Sequence, residues 1–289
     1  MLNNLDKVHR KAPEFQGVVQ GGTALLQLDP GYKYHALHFE FAGAAMTVAK
    51  MDEIRVKLND KVIIQVPGAM LNIMNKFDNI TDAATTKLLS LFFDRKGLRS
   101  NASEQETAIN LGAAGKSGTA RSLSIEIDLA SDAGADVSLK TYMDVSPAVQ
   151  GAGAGTVRRI LPHYRGLSGA GILEVRDIKH NDPGVAYINR IWYDVRATTG
   201  KITQVVLERG NRKIWERTKA RNEAFQKDIY KHRTPQTDVF CIDTTEDENG
   251  FEMIQTVGFS NFSHAITLDG AAASFPIYMD TLGTLAQLD

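Results

Sequence analysis

Hydrophobic and polar residues alternate along several short segments of the chain, which is the pattern of strands with one buried and one solvated face. The clearest alternating segments lie at 24–28, 37–41, 54–58 and 123–129. A polar pair, Asn59-Asp60, separates Leu58 from Val62 and predicts a tight hairpin turn. The pattern therefore predicts a mainly β protein.

Helical patterns are few. Three segments are predicted to be helical, namely 69–75, a segment running through 88–92, and 219–231. Thr81 or Asp82 can cap the second segment, and Thr218 can cap the third. Many strands with two or three inserted helices favour an all-β sandwich or barrel over alternating strand–helix–strand units.

The middle of the chain carries the clearest domain boundary. Glycine and alanine dominate 151–156, where no side chain is large enough to pack, so we predict a flexible linker there. The linker separates a first domain at 21–150 from a second at 157–289. The polar, mildly basic segment 1–20 is expected to be an arm that lies against a neighbour or stays mobile, with regular structure beginning near Gly21.

The two halves repeat one order of elements: strand, loop, strand, turn, strand, helix. In the first half the elements are 37–41, 54–58, 61–64 and a helix carrying Asn72, and in the second half they are 191–195, 205–207, 213–215 and a helix carrying Asn222. Self-similarity of this kind indicates that one β unit is used twice.

Composition narrows the class of protein. The chain has 289 residues, 43% of them hydrophobic, and 33 Lys+Arg against 34 Asp+Glu give a net charge of -1. These values exclude a mainly disordered chain and disfavour a protein that coats nucleic acid. No apolar run approaches the ~20 residues needed to span a bilayer, and 1–20 lacks a secretory apolar region, so we expect a soluble protein made in a reducing cytosol.

Cys241 is the single cysteine, which excludes intrachain disulfides and cysteine-based zinc sites. Its apolar neighbours predict a packed, inert thiol. A loop at 112–117 is similar to a phosphate-binding loop, but Asn110 stands where the motif needs glycine, and a strand rather than a helix follows. We therefore interpret it as a loop between strands.

Two groups of residues suggest metal chemistry. His35 and His38, close to Glu40, have the composition of a metal site, but residues three apart on a strand face opposite sides, so we predict two ordinary histidines. The acidic segment with Asp243, Asp247 and Asn249 has the composition of a calcium loop.

A calcium loop needs acidic ligands at its first and last positions. Here those positions hold Thr245 and Thr256, which favours a solvated hairpin tip. A structural Ca²⁺ bridging subunits through Asp243, Asp247 and Asn249 stays as the alternative. Beyond these groups the sequence has no nucleophile elbow and no paired carboxylates, so we predict a protein that is not an enzyme and has no catalytic residues or cofactor.

The hairpin and helix at 52–72 resemble the coat proteins of corticovirus-like bacteriophages, which are tailless, icosahedral and contain an internal membrane. The residues that carry the resemblance are Ile54-Arg-Val-Lys-Leu-Asn-Asp-Lys61, followed by the helix that carries Asn72. Asp60 stands where glycine is usual in the family. The segment 22–35 is similar in character, and the second half is similar in the order of its elements.

The resemblance implies a double jelly roll, with homotrimers that tile an icosahedral shell around the internal membrane. It also implies that the protein is a virion component and is made in the cytoplasm of a bacterial host. Its partners would be other copies of itself, together with the internal membrane and the vertex or membrane proteins. No specific nucleic acid is expected as a partner. A carbohydrate-binding or glycan-hydrolysing β-sandwich protein and a minor vertex or spike protein are the alternatives.

We expect trimer contacts on the sides of the jelly rolls. Trp192, Trp215 and Arg217 are the candidates, although both tryptophans fit a core position equally well. The basic arm is expected to face anionic headgroups or to lace neighbouring trimers. The segments 95–121 and 161–184, rich in small residues, are expected to be long loops on the outer surface.

Overall fold

The computed structural model describes residues 7–112, 120–149, 154–230 and 232–285. The chain forms two compact units, which are Met1–Lys76 with Ile80–Arg158 and Thr284–Asp289 (unit 1), and Phe77–Asn79 with Arg159–Gly283 (unit 2). Half of the expected linker, residues 151–153, lies outside the described residues. No helix in the described ranges is both long and apolar enough to cross a bilayer.

Unit 1 is built from two antiparallel sheets. Its described strands are β1 (Val8–Lys11), β2 (Thr23–Leu28), β3 (Tyr32–Ala42), β4 (Met51–Leu58), β5 (Lys61–Val66), β6 (Leu88–Phe92), β7 (Ile109–Leu111), β8 (Leu123–Leu129) and β9 (Ser138–Pro147). One sheet has the order β1-β9-β3-β6, with β7 also paired to β3, and the other has the order β5-β4-β8-β2. The inserted helices are α1 (Gly68–Phe77), α2 (Ala83–Thr86) and α3 (Asn101–Gln105).

Unit 2 is built in the same way. Its described strands are β10 (Thr156–Leu167), β11 (Gly171–Val175), β12 (Tyr187–Asp194), β13 (Ile202–Arg209), β14 (Arg212–Thr218), β15 (Val239–Asp243), β16 (Ile254–Gln255), β17 (Phe262–Leu268) and β18 (Ala272–Thr284). The sheets have the orders β15-β12-β18-β10, with β16 on β12, and β11-β17-β13-β14. Helix α4 (Lys219–Ala224) continues into a π-helical turn at Phe225–Ile229.

The two units share one connectivity. In each unit the first strand pairs with the last, β1 with β9 and β10 with β18, while the second strand joins the opposite sheet. The helices α1 and α4 both follow the hairpin made by the fourth and fifth strands. This order of two four-stranded antiparallel sheets is the jelly roll, so the duplication and the double jelly roll predicted from the sequence are both confirmed.

Alternation along the strands places the core between the two sheets of each unit. In β8 the side chains of Leu123, Ile125 and Ile127 are buried, and the residues between them are half-exposed. The hairpin between β4 and β5 turns through Asn59 and Asp60, whose φ angles of 50° and 65° are left-handed. Such a pair of positive angles is what a two-residue hairpin requires, which confirms the predicted turn.

The segment 88–92 forms strand β6, so the helix predicted there is wrong. Asp82 does cap a helix, but α2 ends at Thr86 because Lys87 adopts a left-handed φ of 57°. Beyond it, Leu91 lies opposite Leu37 of β3. Pairing with a long neighbouring strand outweighs the helical spacing of the leucines.

Regular structure also begins earlier than the sequence indicates. We expected it from Gly21, but Val8–Lys11 already form β1, whose four residues are exposed and paired with β9. Farther along, 161–184 contains most of β10 and all of β11 rather than a long loop, and 95–121 contains α3 and β7. The loop at 112–117 lies outside the described residues except for Gly112.

Candidate assembly surfaces and side-chain clusters

The solvated face of the sheet β5-β4-β8-β2 carries a network of opposite charges. Arg55 of β4 donates to Asp128 at 2.6 Å and to Glu126 at 3.1 Å, both on the neighbouring strand β8. It also donates to Glu53 at 2.6 Å. Hydrogen bonds from Arg55 hold the pKa of Asp128 below its ordinary value. The polar half of the Ile-Arg-Val-Lys hairpin thus pairs charges across strands, which stabilises the sheet.

The solvated face of the other sheet in unit 1 brings two histidines to one carboxylate. His9 Nδ1 lies 2.7 Å from Asp144 Oδ1, and His38 Nε2 lies 3.4 Å from Asp144 Oδ2. Burial acts to raise the pKa of Asp144, but the hydrogen bonds from both histidines outweigh it and the pKa is lowered. Sequence reasoning missed this group because β1 was not predicted to be a strand.

His35 and His38 do not form a shared site, as the spacing predicted. His35 is buried, and its Nδ1 lies 3.0 Å from Asp94 while its Nε2 lies 3.0 Å from Ser146. His38 faces the opposite side of β3, where Ser90 lies 2.8 Å from its Nδ1. The two imidazoles therefore serve separate contacts.

A buried ion cluster lies beneath the end of β15 in unit 2. Asp243 accepts from Arg233 at 2.7 Å and lies 3.1 Å from Arg190, while Arg190 also donates to Asp78 at 2.7 Å. Burial acts to raise the pKa of Asp243, but the two arginines outweigh it and hold the pKa well below its ordinary value. Each buried charge is therefore paired, as a stable interior requires.

The calcium candidates occupy two different settings. Asp243 is fully buried; its oxygens accept from Arg233 and from the backbone of Thr245, and Oδ1 also lies 3.1 Å from Arg190 in an ion pair. Asp247 instead accepts from the backbone of Asn249 at 2.9 Å, within a turn. A cation at Asp243 has to compete with two guanidinium groups. The calcium site among Asp243, Asp247 and Asn249 stays a prediction.

The two tryptophans predicted to form subunit contacts instead contact residues of their own chain. Trp192 is 1% exposed and packs edge-on against Phe77, with ring centroids 4.9 Å apart. The prediction that Trp192 lies at a subunit surface is therefore wrong, because its side chain is already buried within its own chain, against Phe77. Trp215 is half-buried and covered by Arg217, whose guanidinium carbon lies 4.0 Å from the ring centroid and which is also paired with Glu246.

Other apolar side chains are left on the surface. In unit 2 the most exposed are Phe251, at 91%, Ile172, at 63%, and Tyr164, at 59%. Ile172 lies on β11, at the edge of the sheet β11-β17-β13-β14. A strand edge with an exposed apolar side chain can pair with a strand of another molecule or be covered by it.

Cys241 is buried in β15, as predicted. Burial and the nearby carboxylate of Asp243 raise the pKa of its thiol well above the ordinary value. A thiol held neutral and out of solvent is a poor nucleophile, which agrees with a packing role.

Comparison with known protein families assigns the chain to a family. The model of the viral coat protein P2 N-terminal domain matches residues 9–146, and that of the viral coat protein P2 C-terminal domain matches residues 157–285. The chain belongs to the viral coat protein P2 family. This P2-family protein is therefore a viral coat protein, a component of the virion and not an enzyme. No curated protein matches it in sequence.

Solved structures confirm the fold of this P2-family chain. The crystal structure of the major capsid protein P2 from bacteriophage PM2 is similar with a TM-score of 0.81 and 15% identity, covering 96% of this chain and 98% of that one. A chain in the atomic structure of Sulfolobus turreted icosahedral virus is similar with a TM-score of 0.67 and 10% identity, covering 98% of this chain and 92% of that one. The PBCV-1 virus capsid gives a TM-score of 0.63 and 8% identity, covering 98% and 94%.

Proposed function

We propose that this P2-family chain is the major capsid protein of a tailless icosahedral phage with an internal membrane, and that it assembles as a homotrimer. The observation that supports the proposal most directly is the pair of jelly rolls with one connectivity, both matched by the coat protein family. Three chains supply six similar lobes. A six-lobed block suits a lattice position with six neighbours, so a single kind of chain can tile a large shell.

The exposed edge of β11 is our proposed contact between subunits. Ile172 points into solvent there, whereas Trp192 is buried and Arg217 covers Trp215. Covering an apolar side chain and an open strand edge removes an aggregation hazard and stabilises the assembly at the same time.

The N-terminal segment has less free charge than its sequence indicates. Lys7 pairs with Asp94 at 2.9 Å, Lys11 pairs with Glu14 at 2.9 Å, and Arg10 lies over the ring of Tyr32. These contacts within unit 1 favour a role for β1 in closing the sheet over a role in binding lipid headgroups. We keep contact between the assembled shell and the internal membrane, and synthesis in the cytoplasm of a bacterial host, as parts of the proposal.

Native mass and particle imaging test the proposal. We expect the purified full chain to have a light-scattering mass three times the 31.7 kDa of one chain. Negative-stain images of the trimers incubated with vesicles of anionic phospholipid are expected to show an ordered shell on the vesicle surface. A strict monomer, or a five-fold oligomer as expected of a vertex or spike protein, would contradict it.

The contact proposed for β11 has its own variant. Ile172→Glu places a charge in the expected contact and should shift the mass from trimer to monomer at micromolar concentration. Phe251→Glu is the matched control, because Phe251 is also exposed but lies on a loop away from β11. If Ile172→Glu remains a trimer, the subunit contact does not include β11 and the proposed contact is wrong.

A further inference from the structure

Three side chains that bind metals in other proteins meet on the outer face of the sheet β1-β9-β3-β6. His9 of β1 lies directly opposite Asp144 of β9, and Ala36 of β3 lies opposite Asp144 on its other side. His38, two residues beyond Ala36, shares that face because side chains alternate along a strand. Strand register alone therefore brings an imidazole to each side of one carboxylate.

The spacing of the three groups suits a single ion. One ligand atom from each of His9, His38 and Asp144 lies within 4.8 Å of the other two. The His9 and His38 ring centroids are 5.7 Å apart. Tetrahedral zinc, with bonds of about 2.0–2.1 Å, places its ligand atoms about 3.3 Å from one another. Small side-chain rotations bring the three atoms to that separation.

The imidazoles are held in orientations that suit ligation. Ser90 Oγ lies 2.8 Å from His38 Nδ1, so Nδ1 can donate its proton to Ser90 when Nε2 exchanges its contact with Asp144 for a metal ion. A ligating histidine usually has such a partner on its other ring nitrogen. His9 stacks on Tyr142 with an interplanar angle of 12°, which fixes its ring over the sheet.

A depression of about 390 Å³ opens beside the two imidazoles. Its walls also include Glu40, Leu88 and Tyr142, and it is open to solvent. A metal held by three protein ligands needs room for water at its remaining position, and the depression supplies it.

We propose that His9, His38 and Asp144 bind one divalent transition-metal ion of the zinc class. Two neutral imidazoles and one carboxylate suit zinc, whereas calcium and magnesium prefer oxygen ligands alone. The ion ties β1 to β9 and β3 through side chains, in addition to the backbone pairing of the strands. Because β1 has a neighbour on one side only, the ion secures an edge strand of the sheet.

Cobalt binding tests the site, because Co²⁺ substitutes for zinc and absorbs visible light when its ligands are tetrahedral. The full chain without a polyhistidine tag, titrated with CoCl₂ and then with ZnCl₂, is expected to bind one ion per chain and to lose the cobalt absorption on zinc addition. His9→Gln, His38→Gln and Asp144→Asn should each weaken binding by at least tenfold. His9 is exposed and on an edge strand, so His9→Gln leaves the core intact.

His232→Gln is the matched control, since His232 lies 3.1 Å from Glu248 on the surface of unit 2 and no third ligand was found for that pair within the described ranges. It should bind cobalt as the unmodified chain does. Equal binding by all variants, or no binding at all, would overturn the proposal. The native mass of the metal-free protein distinguishes this from failure of the coat function, because the contact proposed for the trimer, at β11, contains none of the three ligands.

Hydrogen exchange supplies a second readout. Zinc is expected to slow amide exchange in Val8–Lys11 by at least tenfold in the unmodified chain and to leave it unchanged in His38→Gln. Exchange in β1 that ignores zinc, although zinc binds, would show that the ion sits elsewhere and would also overturn the proposal.

Discussion

Asn75 and Asn222 occupy equivalent places in the two jelly rolls and make the same contact. Asn75 in α1 donates from Nδ2 to the backbone oxygen of Ser90 in β6 at 2.8 Å. Asn222 in α4 donates to the backbone oxygen of Cys241 in β15 at 2.7 Å. Each ties the inserted helix to the strand that follows it, so the two halves share a side-chain device as well as a connectivity.

Removing these amides should destabilise the two units unequally. Asn75→Ala leaves a buried carbonyl without its side-chain donor and should lower the free energy of unfolding by about 1–3 kcal/mol. Asn222→Ala should have a smaller effect, because Gln226 also donates to Cys241, at 2.8 Å. Urea unfolding measures both, with the exposed Gln27→Ala as the control, and equal losses for Asn75→Ala and Asn222→Ala would contradict the expectation.

Neutralising Asp243 should be more damaging than either change. Asp243→Asn removes the charge that Arg190 and Arg233 share in the interior, and breaking one side of a buried ion cluster costs about 3–5 kcal/mol. The pKa of Asp243 is held well below its ordinary value, so its contribution is complete at neutral pH and is lost only as the pH falls below about 4.

Unfolding in urea at pH 7 measures the loss at Asp243. Asp247→Asn is the control, since Asp247 lies in a half-exposed turn and its substitution should change the free energy of unfolding by less than about 0.5 kcal/mol.

Isothermal titration with CaCl₂ of the unmodified chain and of the same Asp247→Asn variant tests the calcium prediction. Calcium binding by the unmodified chain that is lost in the variant would support a site there.

Mild acid should weaken unit 2 through His264. Burial lowers the pKa of His264 to about 3, with help from His163 and Arg165, and its Nδ1 lies 2.7 Å from the hydroxyl of Tyr193. The unfolded histidine takes up a proton near pH 6.5 while the folded one stays neutral. Its stabilising effect is therefore complete above about pH 6.5 and declines as the pH falls toward 3.

Urea midpoints between pH 7.5 and 5 measure this effect. The unmodified chain should lose about 2 kcal/mol by pH 5 through this group, and His264→Gln should show a flatter dependence. Gln27→Ala, a change at an exposed residue that does not titrate, should keep the slope of the unmodified chain. Identical slopes for all three proteins would show that His264 does not titrate on unfolding.

Deleting residues 1–11 should expose the edge of β9. The deletion removes β1, leaving the backbone groups of β9 from Tyr142 to Val145 without their partner strand, and an open strand edge promotes association. Size-exclusion chromatography is expected to show aggregates in place of discrete trimers. Val8→Thr, which keeps the strand, should behave as the unmodified chain. Normal yield of particles from the deleted protein would contradict a role for β1 in assembly.

Local patterns predicted the strands well where one face is buried and the other is wet. The alternation in 123–129 and the Asn59-Asp60 turn carry their structure in neighbouring residues, and both were confirmed. The strand at 88–92 was not predicted, because it depends on pairing with β3, about 50 residues earlier in the chain. The resemblance at 52–72 supplied the coat function, which composition and motifs alone did not.

Contacts distant in sequence account for what the sequence did not reveal. Asn72 was compared with Asn222, but the equivalent residue is Asn75, because Asn72 instead donates to Asp82. The meeting of His9, His38 and Asp144 spans most of unit 1, and no local spacing signals it. The sequence around Trp192 has no pattern of polar and apolar residues that distinguishes a core position from a surface position.

The pairing of the first and last described strands of unit 1 constrains when that unit can close during synthesis. Val8 faces Val145, so the earliest strand to leave the ribosome waits for nearly the whole of unit 1 before it finds its partner. Unit 2 then takes on the order of ten seconds to be synthesised. The first jelly roll has that interval to close before the second is complete, which lowers the chance that similar strands from the two repeats pair with each other.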